Sequence, residues 1–245
     1  MKRNVIVGQS GGPTSAINSS LAGVYRTAID RGAYKVYGMR HGIQGFLERN
    51  LVDLDDKLRS EIDIELLKRT PSAYLGSCRF KLPEYEANPE MYDKIFAILE
   101  ELEIAAFFYI GGNDSMDTVM KLDGYFKENG INIKAIGIPK TIDNDLPVTD
   151  HTPGFGSAAK YIAASMQEMV KDCAVYKTRA VTIVEIMGRD AGWLTASSAL
   201  ARLNGGRGPS LIYLCEVPFS IDKFIEDVNE ELKKHPDVIV AVSEG

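Results

Sequence analysis

Short β-branched runs alternate along this chain with segments of helical spacing, and that alternation leaves few folds open. Strand, amphipathic helix, strand is the order that builds a parallel sheet, because parallel neighbours need a long crossover between them. Residues 4–7 read as a buried first strand. A turn, Gly8-Gln9-Ser10-Gly11-Gly12-Pro13, leads into a helix with Ile17, Leu21, Val24, Tyr25 and Ala28 on one face, closed by Gly32. Further strands are predicted at 35–39, 105–110, 134–138, 180–186, 211–215 and 238–242. Helices are predicted after Gly111-Gly112-Asn113-Asp114-Ser115, carrying Met116, Val119 and Met120, and over 158–173, 192–203 and 223–235. The fold expected is a three-layer α/β/α arrangement with mainly parallel sheets.

The chain's 245 residues suffice for two modest cores, and the cluster of Pro, Asp, His and Gly over 147–156 marks a junction. Two Rossmann-like domains are expected, 1–150 and 151–245, the second incomplete. The 238–242 segment looks like a central strand, yet the sequence stops at Gly245, so a longer parent chain is expected.

The strand ends carry the unusual residues. Glycine-rich or acidic loops at 8–13, 111–115, 139–145, 188–192 and 243–245 each follow the C-terminal end of a predicted strand, the edge at which open α/β sheets bind ligands. Five such loops argue for one composite site. The first two are strand-to-helix turns whose glycines let backbone N–H groups approach a phosphate at a helix N-terminus. Neither Gly-x-Gly-x-x-Gly nor a Walker loop is present, and alone each turn also serves as an ordinary tight connection or a capped helix start. Asp114 adds a carboxylate able to hold hydrated Mg²⁺.

Lys140-Thr141-Ile142-Asp143-Asn144-Asp145 is the most informative segment. Two carboxylates one residue apart divide labour well: one accepts a proton from an attacking hydroxyl, the other organises metal or substrate. A bare Asp-x-Asp is more often a solvated turn, but here it follows a strand and carries a lysine. Arg79 and Lys81, in Leu75-Gly76-Ser77-Cys78-Arg79-Phe80-Lys81, supply cations suited to phosphate. Met187-Gly188-Arg189-Asp190-Ala191-Gly192 offers another arginine at a strand end, or, in the plainer reading, a helix start capped by Asp190. Trp193 and the methionines sit at helical positions and are expected in the core.

Other chemistries find little support. The net charge of −6 with interspersed signs offers no footprint for nucleic acid or an anionic membrane surface. No stretch approaches the roughly 20 apolar residues of a membrane span, and the apolar run behind Met1-Lys2-Arg3-Asn4 is too short for a signal peptide. Cys78, Cys173 and Cys215 follow no disulfide or zinc spacing, and His41, His151 and His235 show no metal spacing. A cytoplasmic protein is expected.

Taken together, Gly11-Gly12 with Asn18, Leu75-Gly76-Ser77 with Arg79, Gly111-Gly112 with Ser115, Thr141 to Asp145, Met187-Gly188-Arg189 and Glu244 resemble the phosphofructokinase family, in the family's order and over essentially the whole chain. The resemblance implies phosphoryl transfer to the 1-hydroxyl of fructose 6-phosphate with Mg²⁺. It makes Asp143 the general base and Asp145 a support for Mg²⁺ and the transition state, with Arg79 and Lys140 acting on the transferring group. Gly11, Gly12, Gly111, Gly112, Asn113, Asp114, Ser115 and Lys140 would bind the donor. Thr141, Arg179, Met187, Gly188, Arg189 and Glu244 would bind the sugar phosphate. Metal would fall to Asn113, Asp114, Asp143 or Asp145, Asn113 standing where the family usually has an acidic ligand. Arg179 loosely matches an arginine that crosses from a neighbouring subunit in relatives, so a homodimer or tetramer is implied.

Asp114 and Lys140 stand where ATP-using members carry glycine and pyrophosphate-using members carry aspartate and lysine. A carboxylate at 114 repels a nucleotide's α-phosphate, while Lys140 pairs with compact pyrophosphate. A reversible pyrophosphate-dependent enzyme is therefore expected. The alternatives are an ATP-dependent member and an inactive or incomplete binding chain of the same fold.

Overall fold

The computed structural model describes residues 4–244, except the side chain of Asn204. It divides into two compact units, Met1–Lys140 and Thr141–Gly245, against the division expected after residue 150.

The first unit is built on β1 (Asn4–Gln9), whose six residues are all buried. The chain continues through α1 (Ile17–Asp30), β2 (Val36–Met39), α2 (Gly42–Leu47), β3 (Leu51–Asp53), α3 (Glu61–Arg69), α4 (Pro89–Glu101), β4 (Ile104–Gly111), α5 (Asn113–Glu128) and β5 (Lys134–Pro139). The sheet order is β3-β2-β1-β4-β5, with only β3 antiparallel to its neighbour. Side chains of a strand point alternately to its two faces, and β1 does this cleanly. Val5 and Val7 join the α1 and α3 core with Leu21, Ile64 and Leu67, while Ile6 joins the core of α2, α4 and α5 with Phe46, Ile98 and Leu122. Helices thus cover both faces, giving the three layers expected.

The five helix positions expected to face inward on α1 are all buried, and Gly32 follows the helix at φ +79°. No element is expected between residues 40 and 104, yet the chain forms α2, β3, α3 and α4 there. Two of these are announced by their caps. Ser60 and Asp63 form a reciprocal capping box before α3, and Asn88 caps α4 with Pro89 following.

The second unit runs through α6 (Phe155–Cys173), β6 (Ala180–Ile186), α7 (Trp193–Ser197), β7 (Leu211–Tyr213), α8 (Ile221–Lys234) and β8 (Asp237–Ser243). Its parallel sheet has the order β6-β8-β7. Ile239 and Ala241 of central β8 face α6 and α7, and Val238 and Val240 face α8. The helix expected over 192–203 is instead the short α7 followed by a 3-10 segment, Ser198–Gly205. Trp193 and Met120 are 57% and 67% exposed, not core. Trp193 opens α7, and Met120 turns off the α5 face on which Val119, Leu122 and Phe126 are buried. Among the described residues no helix is long and apolar enough to cross a membrane.

Candidate active site

In the first unit, the ends of β1, β4 and β5 meet at one cavity of about 400 Å³, lined by Gly11, Gly12, Arg79, Asn113, Asp114 and Lys140 together with Ser10, Gly112 and Ser115. The loops around it are fastened to one another. Ser10 N–H donates to the Ile110 carbonyl (2.9 Å) and Lys140 N–H to the Gly111 carbonyl (3.0 Å), so the sheet's pairing runs on past the strands. The hydroxyls of Ser10 and Ser115, both buried, lie 2.8 Å apart and join the two glycine turns. A Cβ on Gly111 would fall 1.9 Å from Ser115 Oγ, which explains the glycine there. Ser77 Oγ donates to the Gly11 carbonyl (2.6 Å), bringing the segment that carries Arg79 alongside.

Gly11 has φ +76°, a conformation that side chains disfavour. A Cβ there would also stand 3.1 Å from Lys140 Nζ. That distance locates the ammonium: it lies beside the backbone of Gly11, and a Cβ built on Gly112 would be 3.8 Å from it. Lys140 is only 5% exposed. Gly112 opens α5 in extended conformation with no side-chain cap, so the helix presents its positive end without a competing acceptor of its own. Asp114 is exposed in the first turn. The cavity therefore combines a sheltered cation, an exposed cation at Arg79 and a helix N-terminus, a surrounding for a small polyanion.

Two buried amides, Gln9 and Asn18, fix this geometry. Gln9 Nε2 donates to the Ile17 carbonyl and to Asn18 Oδ1, while Gln9 Oε1 accepts from Leu75 N–H at 2.8 Å. Asn18 Nδ2 donates to the carbonyls of Thr70 and Ser72, and its Oδ1 accepts from Tyr74 N–H. Together they anchor the 70–75 segment that leads to Arg79. Gln9 carries a signal of its own, a polar residue ending a wholly buried strand. Replacing Gln9 with Leu leaves buried partners unpaired, which should cost about 2–3 kcal/mol. Thermal unfolding should show this as a fall in Tm of roughly 5–10 °C, and an unchanged Tm would refute the network's role.

In the second unit, Thr141 to Asp145 form a tight turn around a buried asparagine. Asn144 is left-handed at φ +59°, which asparagine tolerates. Its Oδ1 accepts from Thr152 N–H (2.9 Å) and its Nδ2 donates to the Asp150 carbonyl (3.1 Å). Thr152 Oγ1 donates to the Thr141 carbonyl, and Asp143 N–H to Thr141 Oγ1. With Asn144 turned inward, Asp143 is half-buried and Asp145 exposed. The asparagine between the two carboxylates is thus the structural pin of the loop.

At the C-terminal edge of β6 and β8, Gly188 has φ +126°, and a Cβ on it would lie 2.4 Å from the Ala191 carbonyl oxygen. Arg189 reaches Glu244 at 3.3 Å, with its side chain 75% exposed. An exposed pair of this kind contributes little stability, so it serves to orient the guanidinium. Met187 is exposed beside them. Asp190 does not cap α7; Gly192 holds that position with no side-chain cap. Arg179 precedes β6, at the opposite end of the strand from Met187. Seven residues of strand separate them by roughly 20 Å, so the second unit brings Met187, Gly188, Arg189 and Glu244 together without Arg179. Gly245 lies outside the described residues.

A phosphofructokinase family model matches residues 4–245. A pyrophosphate–fructose 6-phosphate 1-phosphotransferase of Rhodospirillum rubrum is 43% identical over 245 residues, covering 100% of this chain and 58% of its own length. A crystal structure of a pyrophosphate-dependent phosphofructokinase from Nitrosospira multiformis superposes with a TM-score of 0.90 at 39% identity, covering 100% of this chain and 61% of that one. Relatives with other names also match. A sulfofructose kinase of Alkalicoccus urumqiensis is 37% identical over 98% of this chain and 61% of its own, and an ATP-dependent 6-phosphofructokinase of Bacteroides thetaiotaomicron is 31% identical over 96% and 66%. The chain spans about three fifths of the length of the first curated relatives it matches.

Proposed function

Because the chain belongs to the phosphofructokinase family, we propose that it carries the donor site and the catalytic loop of an enzyme that moves a phosphoryl group reversibly from pyrophosphate to the 1-hydroxyl of fructose 6-phosphate. The observation that carries this reading is Lys140, buried against the Gly11 and Gly112 turns of a small polar cavity with Asp114 at the first turn of α5. A compact dianion or trianion suits that cation, whereas a nucleotide would bring its α-phosphate towards the Asp114 carboxylate.

In the proposed reaction Asp143 takes the proton from the sugar's 1-hydroxyl. The sugar oxygen then bonds to the nearer phosphorus, and the bridging P–O bond breaks to release phosphate. Arg79 and Lys140 balance the charge on the donor and leaving oxygens. Met187, Arg189 and Glu244 hold the sugar phosphate, and the Ser10–Ser115 pair keeps the two turns in place.

Each loop by itself offers oxygen ligands of the kind Mg²⁺ takes, Asn113 and Asp114 in the first unit and Asp143 and Asp145 in the second. Among the described residues no group of three or more His, Cys, Asp or Glu side chains gathers around one point. Mg²⁺ commonly binds through one or two carboxylates, water and substrate phosphates, and when bound it would neutralise phosphate charge.

The test is a donor assay on the protein in its natural full length, with fructose 6-phosphate and Mg²⁺. Turnover with pyrophosphate at a kcat/KM at least 100-fold above that with ATP is expected. Turnover with ATP alone would replace this reading by the ATP-dependent one, and turnover with neither donor would refute both.

A further inference from the structure

Glu216, just beyond β7, lies outside every residue assigned above. Its Oε1 accepts from Gly192 N–H at 2.7 Å, and Cys215 Sγ donates to Oε2 at 3.3 Å. The tie joins residues that the fold alone brings together, for β7 and the 187–192 loop belong to different parts of the chain. Gly192 is the N-cap of α7, and that helix has no side-chain cap of its own. Glu216 therefore supplies, from the segment after β7, the acceptor for the N-cap N–H that the third residue of a capping-box helix would ordinarily supply. The fit is close: a Cβ on Gly192 would lie 2.4 Å from Glu216 Oε2 and 3.2 Å from Leu214 Cβ. The same N–H holds the Glu216 carboxyl below the ordinary carboxylate range, so it stays ionised and a good acceptor.

The loop so held is the one that presents Met187, Gly188 and Arg189. One end of it is fixed by β6 and by the Gly188 bend over the Ala191 carbonyl. The β8 side is fixed by Glu244 N–H on the Ile186 carbonyl (2.8 Å) and by the Ser243–Thr195 hydroxyl pair (2.9 Å). The Gly192 end depends on Glu216. We propose that Glu216 is a positioning residue that sets the conformation of the 187–192 loop for sugar-phosphate binding, a role that rests on the functional reading above. Glu216 is exposed, so its replacement opens no core cavity.

Trp193, the only tryptophan of the chain, directly follows Gly192 and reports on this loop. In the full-length protein without ligand, with any tryptophan other than Trp193 replaced by phenylalanine, Glu216→Ala should shift Trp193 emission and raise its quenching by acrylamide. Affinity for fructose 6-phosphate should fall about fivefold, as for the loss of one exposed charge-assisted hydrogen bond. Affinity for pyrophosphate and kcat should stay within twofold. Glu216→Gln, which keeps an acceptor oxygen, should restore most of the affinity. Gly192→Ala should reproduce the defect, and adding Glu216→Ala to it should bring no further loss. Wild-type emission and affinity in Glu216→Ala would overturn the proposal, as would a joint fall of kcat, both affinities and Tm. Failure of the wild type to bind fructose 6-phosphate would instead refute the substrate reading, leaving the tie to be upheld or overturned by Trp193 emission.

Discussion

Asp143→Asn should lower kcat in the full-length protein by about 1,000-fold, within the range that a positioned general base contributes. The substitution keeps the size of the side chain and removes its ability to take up the hydroxyl proton. The turn should survive, because the hydrogen bonds that shape it run through the Asp143 backbone N–H, Thr141, Asn144 and Thr152, and asparagine keeps a polar side chain able to hydrogen-bond. KM values for both substrates should change by no more than a few-fold, and Tm should hold. Steady-state kinetics in both directions, with a thermal melt, check this. Retention of more than a tenth of the wild-type kcat would remove Asp143 from the role of base. A comparable loss in Asn144→Ala accompanied by a lower Tm would fit a different cause, collapse of the turn around its buried pin.

The second large effect concerns the donor. Lys140→Gly should lower kcat/KM for pyrophosphate by roughly 100- to 1,000-fold, since an ion pair near 4 Å in a partly sheltered site is worth about 4 kcal/mol at an effective dielectric of 20. The lysine is nearly buried and its ammonium lies next to Gly11, so solvent screens it less than a surface charge. Combining this change with Asp114→Gly should add measurable turnover with ATP, by removing the carboxylate at the start of α5 and opening space in the cavity. Competition between the two donors, read as a ratio of kcat/KM values, measures the switch. An unchanged ratio in the double variant would show that donor choice resides elsewhere.

Much of the molecule was legible beforehand because its signals are local. The inward face of α1 follows from a 3.6-residue period, and the alternation of Val5, Ile6 and Val7 between two cores follows from a period of two. The glycine turns betray themselves as well: Gly11 and Gly188 need positive φ, a property of single residues. Elsewhere the local signal is weak or contested. Trp193 sits at helical spacing but opens a helix of five residues, too short to turn it inward. Of the elements over residues 42–101, α3 and α4 carry side-chain caps, and Tyr92, Ile95 and Leu99 of α4 also recur at helical spacing, whereas α2 has no side-chain cap. Asp190 is a good capping type, yet Gly192 takes the N-cap, with its N–H held by Glu216 from elsewhere in the chain.

The sequence by itself determined a parallel α/β chain with its reactive residues on strand-end loops, since hydrophobic period and glycine placement act over a few residues. Only the tertiary structure decided how those loops are held. Ser10 meets Ser115 across 105 positions of sequence, Gln9 meets Leu75 across 66, and Gly192 meets Glu216 across 24. Each bond joins groups that no local pattern relates, and each exists because buried or half-buried polar atoms must find partners once the strands are assembled. Lys140 is the plainest case. Its identity pointed to a donor, but its burial beside two glycine turns, on which its effect depends, came from the packing of β1, β4 and β5.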